Sequence, residues 1–143
     1  MDLRITGPGT DAAIGGLDDL QRILIYRNEI FDPSGWSRIG IDVGESATAT
    51  VAHNNRVSFP ETGDTINPAA LTDASADLTE SHNFLDESPG FCDPGNADPL
   101  LRDFTLQTGS AFIDAGTPVP VFEDFQGQSC PNGPFDTGAF EWQ

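Results

Sequence analysis

The sequence contains no lysine: its six basic residues, Arg4, Arg22, Arg27, Arg38, Arg56 and Arg102, are all arginines, set against 23 acidic residues. The net charge of −17 repels phosphate backbones, so neither nucleic acid nor an anionic membrane is an expected partner. Long apolar runs are also missing. None approaches the roughly 18 residues of a membrane span, and no membrane insertion is expected. The opening MDLRITGPGT lacks a cationic head followed by an apolar stretch, so it does not read as a signal peptide. Cysteine is sparse. Cys92 and Cys130 lie in the loop-like strings FCDPGN and QSCPNG, without a CxxC pattern or a neighbouring histidine, and a zinc site is not expected. An even count in such loops suits one disulfide in an exported protein, with two unlinked thiols as the alternative. Charged residues make up only 20% of the chain, too few for a coiled coil or long helices.

What the chain does have is glycine (15) and proline (11) across 143 residues, the composition of a single β-rich domain with many turns. Three segments place an asparagine two residues before an aliphatic: Asn28 before Ile30, Asn55 before Val57, and Asn83 before Leu85. Their near-constant spacing, a little under 30 residues, is the signature of a repeat architecture. Between them lie strand patterns. Arg22 to Tyr26 is rich in β-branched residues, Ile39, Ile41 and Val43 alternate with Gly40, Asp42 and Gly44, and Ala47 to Val51 alternates likewise. Turn clusters separate them at 32–35, 60–64 and 86–90. One helical turn is predicted at Asp18 to Arg22, and another at Asn67 to Leu71, where Asn67 is a potential cap and Pro68 suits the first helical position.

Short strands at this period predict an all-β, parallel solenoid of about three coils; an antiparallel β-sandwich with unrelated asparagine turns is the alternative. Asn28, Asn55 and Asn83 would sit at a sharp corner, because asparagine tolerates left-handed backbone and stacked amides bond to one another.

The last third carries a resemblance. Ser88-Pro89-Gly90-Phe91, Asp103-Phe104-Thr105-Leu106, Ser110 to Gly116, Asp124-Phe125-Gln126-Gly127 and Asp136 to Glu141 follow one another in order. They resemble the closing segment of right-handed parallel β-helix repeat proteins, written there as "DPxF", "DFxL", "SPAIDAG", "DxxG" and "DIGAxE". Two positions depart from that pattern. Ala111 follows Ser110 where the family has proline, and Gln128-Ser129-Cys130 stands where it commonly has arginine. The resemblance implies a right-handed parallel β-helix with coils over 1–87 and a C-terminal loop and capping segment over 88–143. It also implies an extracellular or cell-surface setting, but no single activity, because the fold serves lyases, hydrolases, adhesins and passive stalks alike. In such a cap, Gly116 and Gly138 suit positive-φ corners and Asp114 and Asp136 hold backbone amides. Phe112, Phe125, Phe135, Phe140 and Trp142 form an apolar lid, and Cys130 pins the tail.

Candidate sites are few. A lyase would need a strong base beside a calcium-held uronate; with lysine absent, only Arg27, Arg38 or Arg56 would serve, against a free pKa above about 12. The blocks of a galacturonan hydrolase reduce to Asp18-Asp19 and Arg38-Ile39-Gly40. His53 and His82 fall at different positions of the repeat and read as surface imidazoles. Ser110 with Asp114 lacks the context of an activated nucleophile. Asp93, Asn96 and Asp98 gather oxygens in a Pro/Gly turn, a candidate calcium site without the full loop spacing. Tyr26 and Trp36 form a candidate sugar-stacking face. The expectation is therefore a non-catalytic structural or adhesive module without cofactor, with carbohydrate binding or a lyase-type activity as alternatives. With no lid visible in the first residues, it is expected to self-associate, or to join an upstream β-helix segment, through its N-terminal face.

Overall fold

A computed structural model describes residues 12–14, 21–31, 39–43, 47–58, 69–73, 77–85, 90–131 and 133–143. The strands are β1 (Ala12–Ile14), β2 (Leu24–Tyr26), β3 (Glu29–Phe31), β4 (Ile39–Val43), β5 (Thr50–His53), β6 (Arg56–Ser58), β7 (Ala69–Asp73), β8 (Leu78–Ser81), β9 (Phe84–Leu85), β10 (Phe91–Asp93) and β11 (Asp103–Leu106). The first nine form three small parallel sheets, ordered β1-β4-β7, β2-β5-β8 and β3-β6-β9. Strands β1 to β6 thus each pair with the third strand after them. Leu24 aligns with Val51 and Val51 with Thr79; Glu29 aligns with Arg56 and Arg56 with Phe84.

The alternating positions explain why the segments settle as strands. Ile25, Ala52, Ile30, Val57, Ile41 and Val43 are all buried, and with Ile23 and Ala47 they make one apolar cluster. Burying each isoleucine or valine contributes about 1.5–3 kcal/mol, which favours the register that keeps these rows together. The turns between strands take left-handed backbone without glycine. Arg22 and Ala49 have φ of 60° and 51°, and Arg27, Asn54 and His82 have φ of 53°, 58° and 55°. The corner residue is therefore the one before each ladder asparagine, not Asn28, Asn55 or Asn83 itself.

Several expectations are corrected. Ala69 to Leu71 belongs to β7, where Ala69 pairs with Ile39 and Leu71 with Ile41, so parallel pairing overrides the local helical signal at Asn67 to Leu71. Gln21 bridges to Thr48 and Arg22 is left-handed, so the turn predicted at Asp18 to Arg22 does not end as a helix; 15–20 lie outside the described residues.

The β-helix resemblance also fails in its own segment. The three parallel sheets stay separate, with no closed or continuous sheet among the described residues, and the last third adds no parallel strand. Instead β10 and β11 pair antiparallel, with Phe91 opposite Leu106 and Asp93 opposite Asp103, around a 3-10 turn at Pro99–Leu101. The described chain is all-β. Nor do the aromatics form a common lid: Phe112 and Phe135 are buried, while Phe125 is 81% and Trp142 40% exposed. The disulfide is absent. Both cysteines are free, Cys92 exposed on β10 and Cys130 buried beside Arg27.

Candidate functional site

Two side-chain systems organise the molecule, and the first is a ladder of amides. Asn28 donates from its backbone N (3.0 Å) and its Nδ2 (2.8 Å) to Asn55 Oδ1. Asn55 repeats this toward Asn83 Oδ1, at 3.2 and 2.8 Å. The remaining amide hydrogens return to the strand before, from Asn55 Nδ2 to Ile25 O and from Asn83 Nδ2 to Ala52 O, both at 2.9 Å. Asn55 is fully buried with its side chain satisfied, which is what makes a buried amide tolerable.

The second system fastens the C-terminal segment. Arg56, on β6, is 0% exposed, and its guanidinium forms a two-nitrogen contact with Glu29 Oε2 of β3: Nε donates at 2.8 Å and Nη2 sits closer still. Phe91 and Phe112 also pack near its cation, with ring centres 4.3 and 5.0 Å from Cζ. Burial pushes the Glu29 carboxyl up to about 7, only partly offset by the Arg56 charge. Glu29 Oε1 and Arg56 Nη1 are buried without a hydrogen-bond partner. Gly138 closes over the pair, where a Cβ would stand 2.6 Å from Glu29 Oε2.

One rung earlier, Arg27 donates from Nε to Gly138 O (3.1 Å) and from Nη1 to Cys130 Sγ (2.9 Å), and its Nη2 lies 3.0 Å from Glu141 Oε1. Burial raises the pKa of both Cys130 and Glu141 against the lowering influence of Arg27. Between the arginines, Asn54 exchanges paired bonds with Thr117, donating from Nδ2 at 2.7 Å and accepting from Thr117 N at 2.8 Å. Its carbonyl accepts from Gly138 N. The C-terminal segment thus lies along the side of the strand stack and is bonded to more than one rung.

The anticipated site residues separate. Trp36 lies outside the described residues. Tyr26 stacks on His53 (centroids 5.9 Å apart, planes 2°) and packs against the cluster of Val119, Cys130 and Phe135. His53 aligns with Tyr26 and Ser81, and its Nδ1 lies 2.8 Å from Ser81 Oγ, whereas His82 takes the corner position. Asp93, Asn96 and Asp98 do come together, but as turn-formers. Asn96 Nδ2 donates to Asp93 Oδ2, Asn96 Oδ1 accepts from Asp98 N, and Asp98 caps the 3-10 turn through Leu100 N. Among the described residues, no group of three or more His, Cys, Asp or Glu side chains is placed to hold a metal ion.

Asp136 accepts from Asp114 N (2.7 Å) and Trp142 N (2.5 Å). Gly138 has φ of +87°, but at the other turn the left-handed residue is Asp114, with φ of 58°. Gly116 is needed for space: a Cβ there would come within 2.7 Å of Phe135 O.

Arg27 and Asn54, which bond to the segment, and Arg56, which is paired with Glu29 and packs on Phe112, went unread as docking residues. A signal existed: Glu29 and Arg56 have opposite charge and stand one repeat apart. No family model, curated protein or solved structure matches the chain, and the family resemblance is carried no further.

Proposed function

We propose that the chain is a structural, adhesive module without chemistry of its own, working at an extracellular or cell-surface location and joining a partner β-segment or a second copy through exposed strand edges. In this reading the three parallel ladders are the faces of a short three-coil solenoid, each rung contributing one strand to each face. The observation that carries it is the common termination of the ladders. Among the described residues, β1, β2 and β3 each pair on one side only, and Leu24 on β2 is 57% exposed, so within these residues the three sheets end on the same rung. Open strand edges are templates for pairing with another chain.

Further support comes from the two arginines available as a lyase base in the described residues. Arg27 is 6% and Arg56 0% exposed; Arg27 is paired with Glu141 of the C-terminal segment, and Arg56 with Glu29 inside the strand stack, where Phe112 of the segment packs on it. The charge of −17 sets the condition for association, since like-charged modules approach more readily as salt screens them.

Light scattering of the full chain over a concentration series tests the reading. Mass should rise with concentration, more so at 0.5 M than at 0.05 M NaCl, and the change Leu24→Pro on the first rung should suppress the rise. A monomer at every concentration and salt would defeat it. Oligosaccharides that quench tryptophan fluorescence at micromolar concentration would instead favour carbohydrate binding.

A further inference from the structure

The asparagine ladder has a direction, and its far end is not like its middle. Asn55 spends its two amide hydrogens on Ile25 O and on the next asparagine, Asn83. Asn83 gives one to Ala52 O in the same way, but the other goes to Glu80 Oε2, at 3.2 Å. Glu80 therefore stands where the Oδ1 of a fourth-rung asparagine would stand.

Its place in the strand is also unusual. The register puts Glu80 in one row with Ile25 and Ala52, which are 5% and 0% exposed, while Glu80 itself is exposed on β8. A charge in the inward row of an edge strand is a known device against edge-to-edge pairing, because a stacked neighbour would bury it.

We propose that Glu80 is a partial stop: it ends the ladder within the chain and weakens, without preventing, the addition of a second copy of this chain, whose first rung otherwise fits the third rung head to tail. The proposal rests on the reading of the first rung as an open edge. The occupant is a copy because the first rung carries what the third would receive. Asn28 brings the Oδ1 that Asn55 and Asn83 present as acceptors one rung on. Leu24, 57% exposed, aligns with Val51 and Thr79, and Ile30 with Val57 and Leu85, itself 38% exposed. Continuing both rows into a neighbour repeats the register already used twice within the chain, whereas Glu80, in the row of Ile25 and Ala52, would set a charge against the neighbour's Ile25. A head-to-tail contact of this kind does not close on itself, so its product is a filament.

Sedimentation velocity of the full chain tests this with Glu80→Ala, which matches Ala52 in the same row, and with the isosteric Glu80→Gln. Circular dichroism would verify that each is folded. Both variants should associate with a dissociation constant at least tenfold below that of the wild type. Leu24→Pro, added to either, should reverse the gain. Val51 N donates to Ile23 O, so alternation turns the Leu24 N–H away from β5 and towards the open side. Leu24→Glu gives a second block at an exposed position.

If both Glu80 variants sediment like the wild type while Leu24→Pro still weakens wild-type association, the stop is overturned and the open-edge reading stands. If the Glu80 variants associate but neither change at Leu24 matters, head-to-tail pairing is overturned. If nothing associates under any condition, both readings fall.

Discussion

The strand stack and the C-terminal segment are held together by different means. In the stack the ladder contacts recur: asparagine on asparagine at offsets of 27 and 28 residues, and aliphatic on aliphatic along the row of Ile30, Val57 and Leu85. The segment after β11 is fastened by contacts made once, across offsets of 103 and 111 residues, and its two anchoring cations are buried. Repetition spreads stability over many small terms, so losing one rung contact is survivable. A fastening built on buried charge has few terms, and removing one partner strands the other away from water.

The largest expected effect follows from that asymmetry. Arg56→Ala leaves Glu29 in its buried site without its cation and takes the packing partner from Phe91 and Phe112. Breaking such a pair costs about 3–5 kcal/mol, or on the order of 10 °C in melting temperature for a chain of this size. Limited proteolysis should then cut within 107–143 before it cuts the strand stack. Uniform digestion of the whole chain would show instead that the two regions unfold as one unit.

The second effect uses pH on the same pair. The folded Glu29 carboxyl is raised to about 7 from an ordinary value of 4.5. A raised carboxyl binds its proton more tightly in the folded state, so its contribution is complete below about 4.5 and is lost as pH rises through 7. Between those values the chain should lose on the order of 3 kcal/mol from this group. Glu141, raised by burial as well, shifts stability in the same direction. Glu29→Gln should flatten the decline measured by thermal melts from pH 5 to 8, leaving the part that belongs to the acidic surface. A wild-type melting temperature that climbs over this range would contradict the assignment.

The third effect belongs to the stack. Asn55→Ala removes the middle rung of the ladder and unpairs Asn28 N, Asn28 Nδ2, Ile25 O and Asn83 Oδ1. Leaving buried groups unpaired costs about 1–3 kcal/mol. Asn28→Ala, at the end of the ladder and half-buried, should cost about 1 kcal/mol or less by chemical denaturation. Equal losses at the two positions would mean that the ladder adds nothing beyond separate bonds.

The stack was readable because its physics is periodic. Ile39, Ile41 and Val43 alternate, and the spacing of Asn28, Asn55 and Asn83 is the rung length. Even there, the sequence reading put the left-handed corner one residue late, because Arg27, Asn54 and His82 are three different residue types with nothing in common but position. The helical reading of Asn67 to Leu71 followed a local cap signal that pairing with β4 overrules. The segment was legible only in pieces. Asp136 and Gly138 stood out as turn residues, but which strand a loop lies against depends on contacts more than 60 residues away, such as Asn54 with Thr117, and no short pattern encodes that. Nothing in the local sequence marks Glu80, since its meaning depends on the row it shares with Ile25 and Ala52.

The smallest expected effect concerns the cysteines, where composition misled. An even count in turn-rich loops suggested a bridge, yet Cys130 is enclosed with Arg27 and Val121 while Cys92 faces solvent on β10. A reductant should therefore leave the melting temperature unchanged, and Cys92→Ser should shift stability by less than about 0.5 kcal/mol. A thiol reagent should modify one cysteine quickly in the native chain and the second only after denaturation. Cys130 is protected twice, by enclosure and by burial that holds its thiol protonated above the usual pH. If Arg56→Ala frees the segment, it should also make Cys130 react as fast as Cys92, which turns the second thiol into a reporter of docking. An unchanged slow phase in that variant would mean that Arg27 and Asn54 keep the segment in place without Arg56.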